Sequence, residues 1–161
     1  MWQGKLEFPV PPTELREGWA TPGEFERAAH FEAREFACRG CGKVLLSNMM
    51  LSRLDKLREL VGEPLRVSSG YRCKEHNGAI GGVAHSAHTL GMAVDLQVYG
   101  DTAHHVVRYA PRLFSGVGAA QIGAYPGRFI HLDRADDWPE WDPAKQPRPW
   151  FWTYPGRKLL G

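Results

Sequence analysis

Apolar and polar positions recur with two different periods along this chain, and the change of period marks out its elements. Met50, Leu51, Leu54, Leu57, Leu60 and Val61 follow one another at the three-and-four spacing of a helix face. Ser47 stands where an N-cap is needed, and Gly62 and Pro64 stop the run. That stripe of Met and Leu reads as core packing. Residues 65–72 then read as a strand ending in a bend at Gly70, and Ala93 to Val98 as a second strand. Thr102 to Tyr109 predicts a helix, broken by Pro111, with His104 and His105 facing solvent. Ala119 to Ala124 and Arg128 to Asp133 predict a hairpin turned by Tyr125-Pro126-Gly127.

The two ends are less regular. Residues 1–30 carry Pro9, Pro11, Pro12 and Pro22 and no sustained period, so an irregular N-terminal arm is expected. Phe31 to Phe36 gives no assignable pattern. The tail, residues 136–161, holds four of the six Trp and five of the 12 Pro, too aromatic for a free linker. It is expected to pack on the domain, as simple cover or as one wall of a substrate groove. Strands and helices mix without βαβ regularity. The fold class expected is therefore α+β: a compact single domain over residues 31–135, its mainly antiparallel sheet flanked by helices.

Composition narrows this picture. A chain of 161 residues with 43% apolar and 24% charged residues can bury one real core. Its net charge of +2 makes no electrostatic case for nucleic acid, which selects a strongly basic face. No window approaches the ~18 to 20 apolar residues of a membrane-spanning helix. Met1-Trp2-Gln3-Gly4-Lys5-Leu6-Glu7 lacks a basic start followed by an apolar run, so no secretory signal is read there. The expectation is a monomer that stays in the cytoplasm until something else releases it. Three cysteines, an odd number, argue against a disulfide framework and suit a reducing compartment or a metal site.

Candidate chemistry gathers in Ser86-Ala87-His88-Thr89-Leu90-Gly91-Met92-Ala93-Val94-Asp95. His88 and Asp95 are seven residues apart, with slim Gly91 and Ala93 between them. Both types ligate Zn²⁺, and a catalytic zinc takes three protein ligands and keeps one position open. His131, in Phe129-Ile130-His131-Leu132-Asp133, is the candidate third ligand. The alternative for the pair is a surface histidine beside a helix-capping aspartate. Upstream, Cys38-Arg39-Gly40-Cys41 forms a tight CxxC knuckle, and Cys73-Lys74-Glu75-His76 a CxxH. Three thiolates and one imidazole would make a closed structural zinc site and use every cysteine. Three separate thiols, or a redox pair plus one buried cysteine, are the alternatives.

Four blocks line up in order: Ser69-Gly70-Tyr71-Arg72 with His76-Asn77, then Gly81-Gly82, then Ser86-x-His88-x-x-Gly91-x-Ala93-x-Asp95, then Gly123-Ala124-Tyr125-Pro126 leading to His131. Together they resemble the zinc D-Ala-D-Ala carboxypeptidase family, which includes phage endolysins and murein endopeptidases, over roughly residues 31–135. The resemblance implies the compact α+β fold shared with hedgehog signalling domains. It also implies a zinc peptidase acting on peptidoglycan stem peptides, with His88, Asp95 and His131 as zinc ligands. Arg72 matches an arginine that in the family holds the substrate or polarises its carbonyl, a task suited to a fixed-charge fork.

One family feature is missing. Better-known members place an acidic or histidine base just upstream of the last ligand, where this chain has Arg128, Phe129 and Ile130. Asp133 is the first candidate for the base, since on a strand it shares the face of His131, ~7 Å along the backbone. It suits equally an acceptor that orients a ligating imidazole. His85 is the runner-up. The missing base also gives footing to a rival reading, a non-catalytic zinc-containing binding module of the same fold.

Overall fold

A computed structural model describes residues 4–120 and 129–154. Its longest helix, α2, covers Asn48–Val61 and begins where Ser47 Oγ accepts the backbone N–H of Met50 at 3.1 Å. It ends at Gly62, whose φ of +77° is the left-handed cap that glycine adopts without strain. Met50, Leu51, Leu54, Leu57 and Val61 are buried, as the spacing predicts. Leu60 departs from that stripe: it is 41% exposed, one position off the inward face.

Within the proline-rich first 30 residues lies one short helix, α1, Pro22–Arg27. Thr21 Oγ1 accepts Glu24 N–H and the Glu24 carboxylate accepts Thr21 N–H, a reciprocal cap with proline in the first turn. Phe25 from this helix, with Phe31 and Phe36, adds an aromatic flank to the core. The unassigned Phe31 to Phe36 stretch ends in a 3₁₀ turn, Ala33–Phe36.

Among the described residues five strands form one sheet: β1 Arg66–Ser69, β2 Ala93–Gln97, β3 Gly116–Ala120, β4 Phe129–Asp133 and β5 Trp150–Thr153. Their order is β1-β2-β4-β3-β5, antiparallel throughout except for the parallel pair β3 and β5. The two expected hairpin arms, β3 and β4, do pair, while the turn at residues 125–127 lies outside the described residues. The α+β expectation is met, and part of the tail is itself a strand of the sheet.

Period two sorts the sheet into two faces. Val94 and Leu96, Ile130 and Leu132, and Val117 point one way, into one core cluster with α2 and with Ala103 and Val106 of helix α4, Gly100–Tyr109. Truncating a residue such as the fully buried Leu54 would cost about 2–5 kcal/mol, so this packing anchors the sheet. On α4, His104 and His105 are exposed, as expected. The opposite face carries one row across all five strands: Ser69, Asp95, His131, Gly118 and Trp152, each paired with the next.

Candidate metal centre

Two of the three expected ligands are therefore neighbours by register, Asp95 opposite His131 on adjacent strands. The third, His88, arrives from a 3₁₀ turn, Ala87–Leu90, that Ser86 caps by accepting His88 N–H. Gly91 closes that turn at φ +69°, where an added Cβ would strike Trp19 and the Leu45 carbonyl. Only glycine fits there.

The three side chains converge. His88 Nε2 lies 3.1 Å from Asp95 Oδ1 and 3.2 Å from His131 Nδ1, and His131 Nδ1 lies 3.0 Å from the same oxygen. Tetrahedral zinc with bonds of about 2.0–2.1 Å sets its ligand atoms about 3.3 Å apart, so the triangle fits that ion closely. The outer atoms are all occupied. His88 Nδ1 donates to the Gly70 carbonyl at 2.8 Å and His131 Nε2 donates to Asp133 Oδ2 at 2.9 Å. Both inner nitrogens then face one carboxylate oxygen, so a proton or a metal cation must sit among them.

The charge states follow from burial and these contacts. Burial holds His88 below its usual pKa, so its imidazole is neutral. Burial opposes ionisation of Asp95, but His88 and His131 outweigh it and keep the carboxylate far below its usual range. Burial also opposes charge on His131, yet hydrogen bonds to Asp133 and Asp95 raise its pKa to about 9. A proton on Nδ1 and a metal ion compete for the same lone pair.

Arg72 is brought to the centre, but in contact with a ligand. Its Nη2 donates to Asp95 Oδ2 at 2.9 Å, its Nε to Ser69 Oγ at 2.9 Å, and its Nη1 lies 3.4 Å from Asn77 Oδ1. The arginine thus holds the outer oxygen of Asp95 while the inner oxygen stays with the histidines.

Asp133, the first candidate for the base, has both oxygens engaged. It is fully buried, and its two oxygens accept four hydrogen bonds, from His131 Nε2, Ala135 N and the Nε and Nη2 of Arg148. Burial opposes its charge, but the bonds from His131 and Arg148 lower its pKa to about 2. It has the geometry of the orienting acceptor. His85 is not in the cluster: it stands exposed, at φ +63°, on the wall of a neighbouring cleft of about 810 Å³. Asn77, Thr89, Leu90, Trp138 and Trp141 also line that cleft, which borders the centre without including its ligands.

Arg148 was not foreseen, and neither was Trp152. Arg148 is 5% exposed in its side chain and lies 5.0 Å from the Trp141 ring and 5.5 Å from that of Trp152. Trp152 in turn lies 5.4 Å from the His131 ring, over the space that Gly118 leaves. A Cβ on Gly118 would come within 2.5 Å of that indole. The tryptophan-rich tail hinted at packing, but no motif marked this arginine.

The second cluster brings the three cysteines together without the histidine. The sulfurs of Cys38, Cys41 and Cys73 lie within 4.8 Å of one another, whereas the ring nitrogens of His76 fall outside that group. His76 sits in the six-residue helix α3, Lys74–Ala79, that Cys73 caps.

An α+β domain whose sheet face and one capped turn converge a His-Asp-His set, with a half-buried arginine on the carboxylate, carries a candidate metal-binding triad. The chain belongs to the Peptidase M15 family, the zinc D-Ala-D-Ala carboxypeptidase-like peptidases, whose family model matches residues 26–133. No curated protein matches the chain. Among the described residues no helix is long and apolar enough to cross a membrane.

Proposed function

We propose that this chain is a zinc peptidase that hydrolyses an amide bond in bacterial cell-wall peptidoglycan. The observation that carries the metal reading is the triangle of His88 Nε2, Asp95 Oδ1 and His131 Nδ1, with every outer donor and acceptor already engaged. The substrate class rests on membership of the family.

Zinc bound there would supply an acidified water and a Lewis acid for the scissile carbonyl. The chain's own residues do the positioning. Gly70 O fixes the tautomer of His88, and Asp133 fixes that of His131. Arg72 locks the Asp95 carboxylate and leaves guanidinium N–H groups for an oxygen of the substrate. The cleft beside Asn77 and Thr89 is where the rest of the peptide would lie. With Asp133 saturated and His85 outside the cluster, neither of the two expected bases serves as one in this reading.

The test is digestion of purified peptidoglycan, with fragment masses identifying the bond cut. Zinc-loaded protein should release peptide fragments, a chelator should stop the release, and added zinc should restore it. Zinc-loaded protein that binds the polymer without cutting it would replace this reading with the binding module.

A further inference from the structure

The three cysteines lie away from the His-Asp-His centre and the reading above gives them no task. Cys38 is fully buried and Cys41 and Cys73 half-buried, and all three are free thiols. Cys38 Sγ and Cys73 Sγ are 3.7 Å apart. A disulfide requires about 2.05 Å. Tetrahedral zinc with Zn–S bonds of about 2.3 Å sets its sulfurs about 3.8 Å apart, close to the Cys38–Cys73 separation, and Cys41 Sγ lies within 4.8 Å of both.

Backbone N–H groups converge on the sulfurs. Cys73 N–H points at Cys38 Sγ and His76 N–H at Cys73 Sγ, each at 3.4 Å. The knuckle is closed by Gly42 N–H on the Cys38 carbonyl and Cys38 N–H on the Lys43 carbonyl, both 2.8 Å. Gly40 lies directly under His76: a Cβ there would meet the His76 Cβ at 2.9 Å and Nδ1 at 3.1 Å. The imidazole therefore rests on the turn between the two knuckle cysteines.

The alternatives explain less. In a CxxC redox pair Cys38 would serve only as the sealed partner of Cys41, yet its sulfur lies 3.7 Å from that of Cys73. Pairing any two cysteines would strand the third beside them.

We propose that Cys38, Cys41 and Cys73 bind a second, structural zinc as thiolates, and that His76 turns from its rest on Gly40 to take the fourth position. The ion would pin the 38–43 knuckle to the start of α3, next to Arg72, and so brace the arginine that grips Asp95.

Cobalt substitution of the full chain tests this. In protein carrying His88→Ala, which breaks the other centre, one equivalent of cobalt should still bind and show thiolate-to-cobalt charge-transfer absorption. Cys41→Ser should abolish that band and lower the zinc content of otherwise unsubstituted protein from two equivalents to one. His76→Ala should weaken binding at this site at least tenfold, and unchanged affinity would remove His76 from it. Cobalt titration of the His88→Ala protein carries the test even where Cys41→Ser fails to fold. No charge-transfer band, or three thiols that react in native zinc-loaded protein as fast as in unfolded protein, would overturn the proposal. A band in the His88→Ala protein together with no peptidoglycan hydrolysis by unsubstituted, zinc-loaded protein would leave it standing and count against the peptidase reading alone.

Discussion

Replacing Arg148 by Met removes a charge whose work is done on a residue 15 positions earlier. Asp133 would keep His131 and Ala135 as partners and lose two charge-assisted bonds of 3.0 and 2.9 Å from the guanidinium. Both side chains are almost sealed, 5% and 1% exposed, so solvent screens little of the loss. Breaking one side of such a buried pair costs about 3–5 kcal/mol. For a domain of this length that lowers Tm by roughly 6–20 °C. Thermal unfolding in chelator measures this apart from any metal. The second consequence reaches the centre: with Asp133 poorly held, His131 is poorly oriented, and zinc affinity should fall ~10 to 100-fold in a competition titration. The depressed pKa gives the pH signature. Stabilisation of Asp133 is complete above its ordinary value of 3.8 and lost as pH falls toward about 2. The gap between parent and Arg148→Met should thus be flat near neutrality and close below about pH 4. Arg148→Lys, a point charge without the fork, should recover only part of it. An Arg148→Met protein that melts within about 2 °C of the parent and binds zinc equally well would refute the reasoning.

Asp133→Asn should weaken zinc binding by a similar factor, with hydrolysis restored by excess zinc; loss of turnover at saturating zinc would return Asp133 to the role of base. Arg72→Ala, at saturating zinc, should lower kcat/KM by roughly 10²-fold, about 3 kcal/mol of transition-state stabilisation, and unchanged kinetics would remove it from the site. Because the pKa of His131 is raised to about 9, its contribution to metal-free stability is full below its ordinary value of 6.5 and lost as pH rises through about 9. Zinc must displace that proton, so apparent affinity should climb about tenfold per pH unit up to about pH 9, and a flat profile would contradict the assignment.

The parts legible in the sequence are those written in local periods. Helix α2 had its cap, its stripe and its stop, and only Leu60 sat off the face. Strands β2 and β4 each carried a polar residue, Asp95 or His131, among apolar neighbours, and period two placed both on one face. The capping box Thr21-x-x-Glu24 was also present but lay among prolines that suggested no structure. Arg148 was illegible for a physical reason. Its position depends on a four-residue strand paired in parallel with β3, more than 30 residues earlier in the chain, and such pairing leaves no periodic trace. His76 was legible in part: CxxH spacing brings it beside the cysteines, and the turn that begins α3 sets its ring on Gly40.

The family match stops at residue 133, and the pair formed by Asp133 and Arg148 straddles that boundary. A boundary drawn by similarity thus divides two halves of one electrostatic unit. Recombination that exchanged the segment after residue 133, natural or engineered, would deliver a buried carboxylate without its counter-ion unless the incoming strand brought an arginine to the same place. Among relatives of this chain the two positions should therefore be inherited together, and a lineage that lost the arginine should have replaced the aspartate as well.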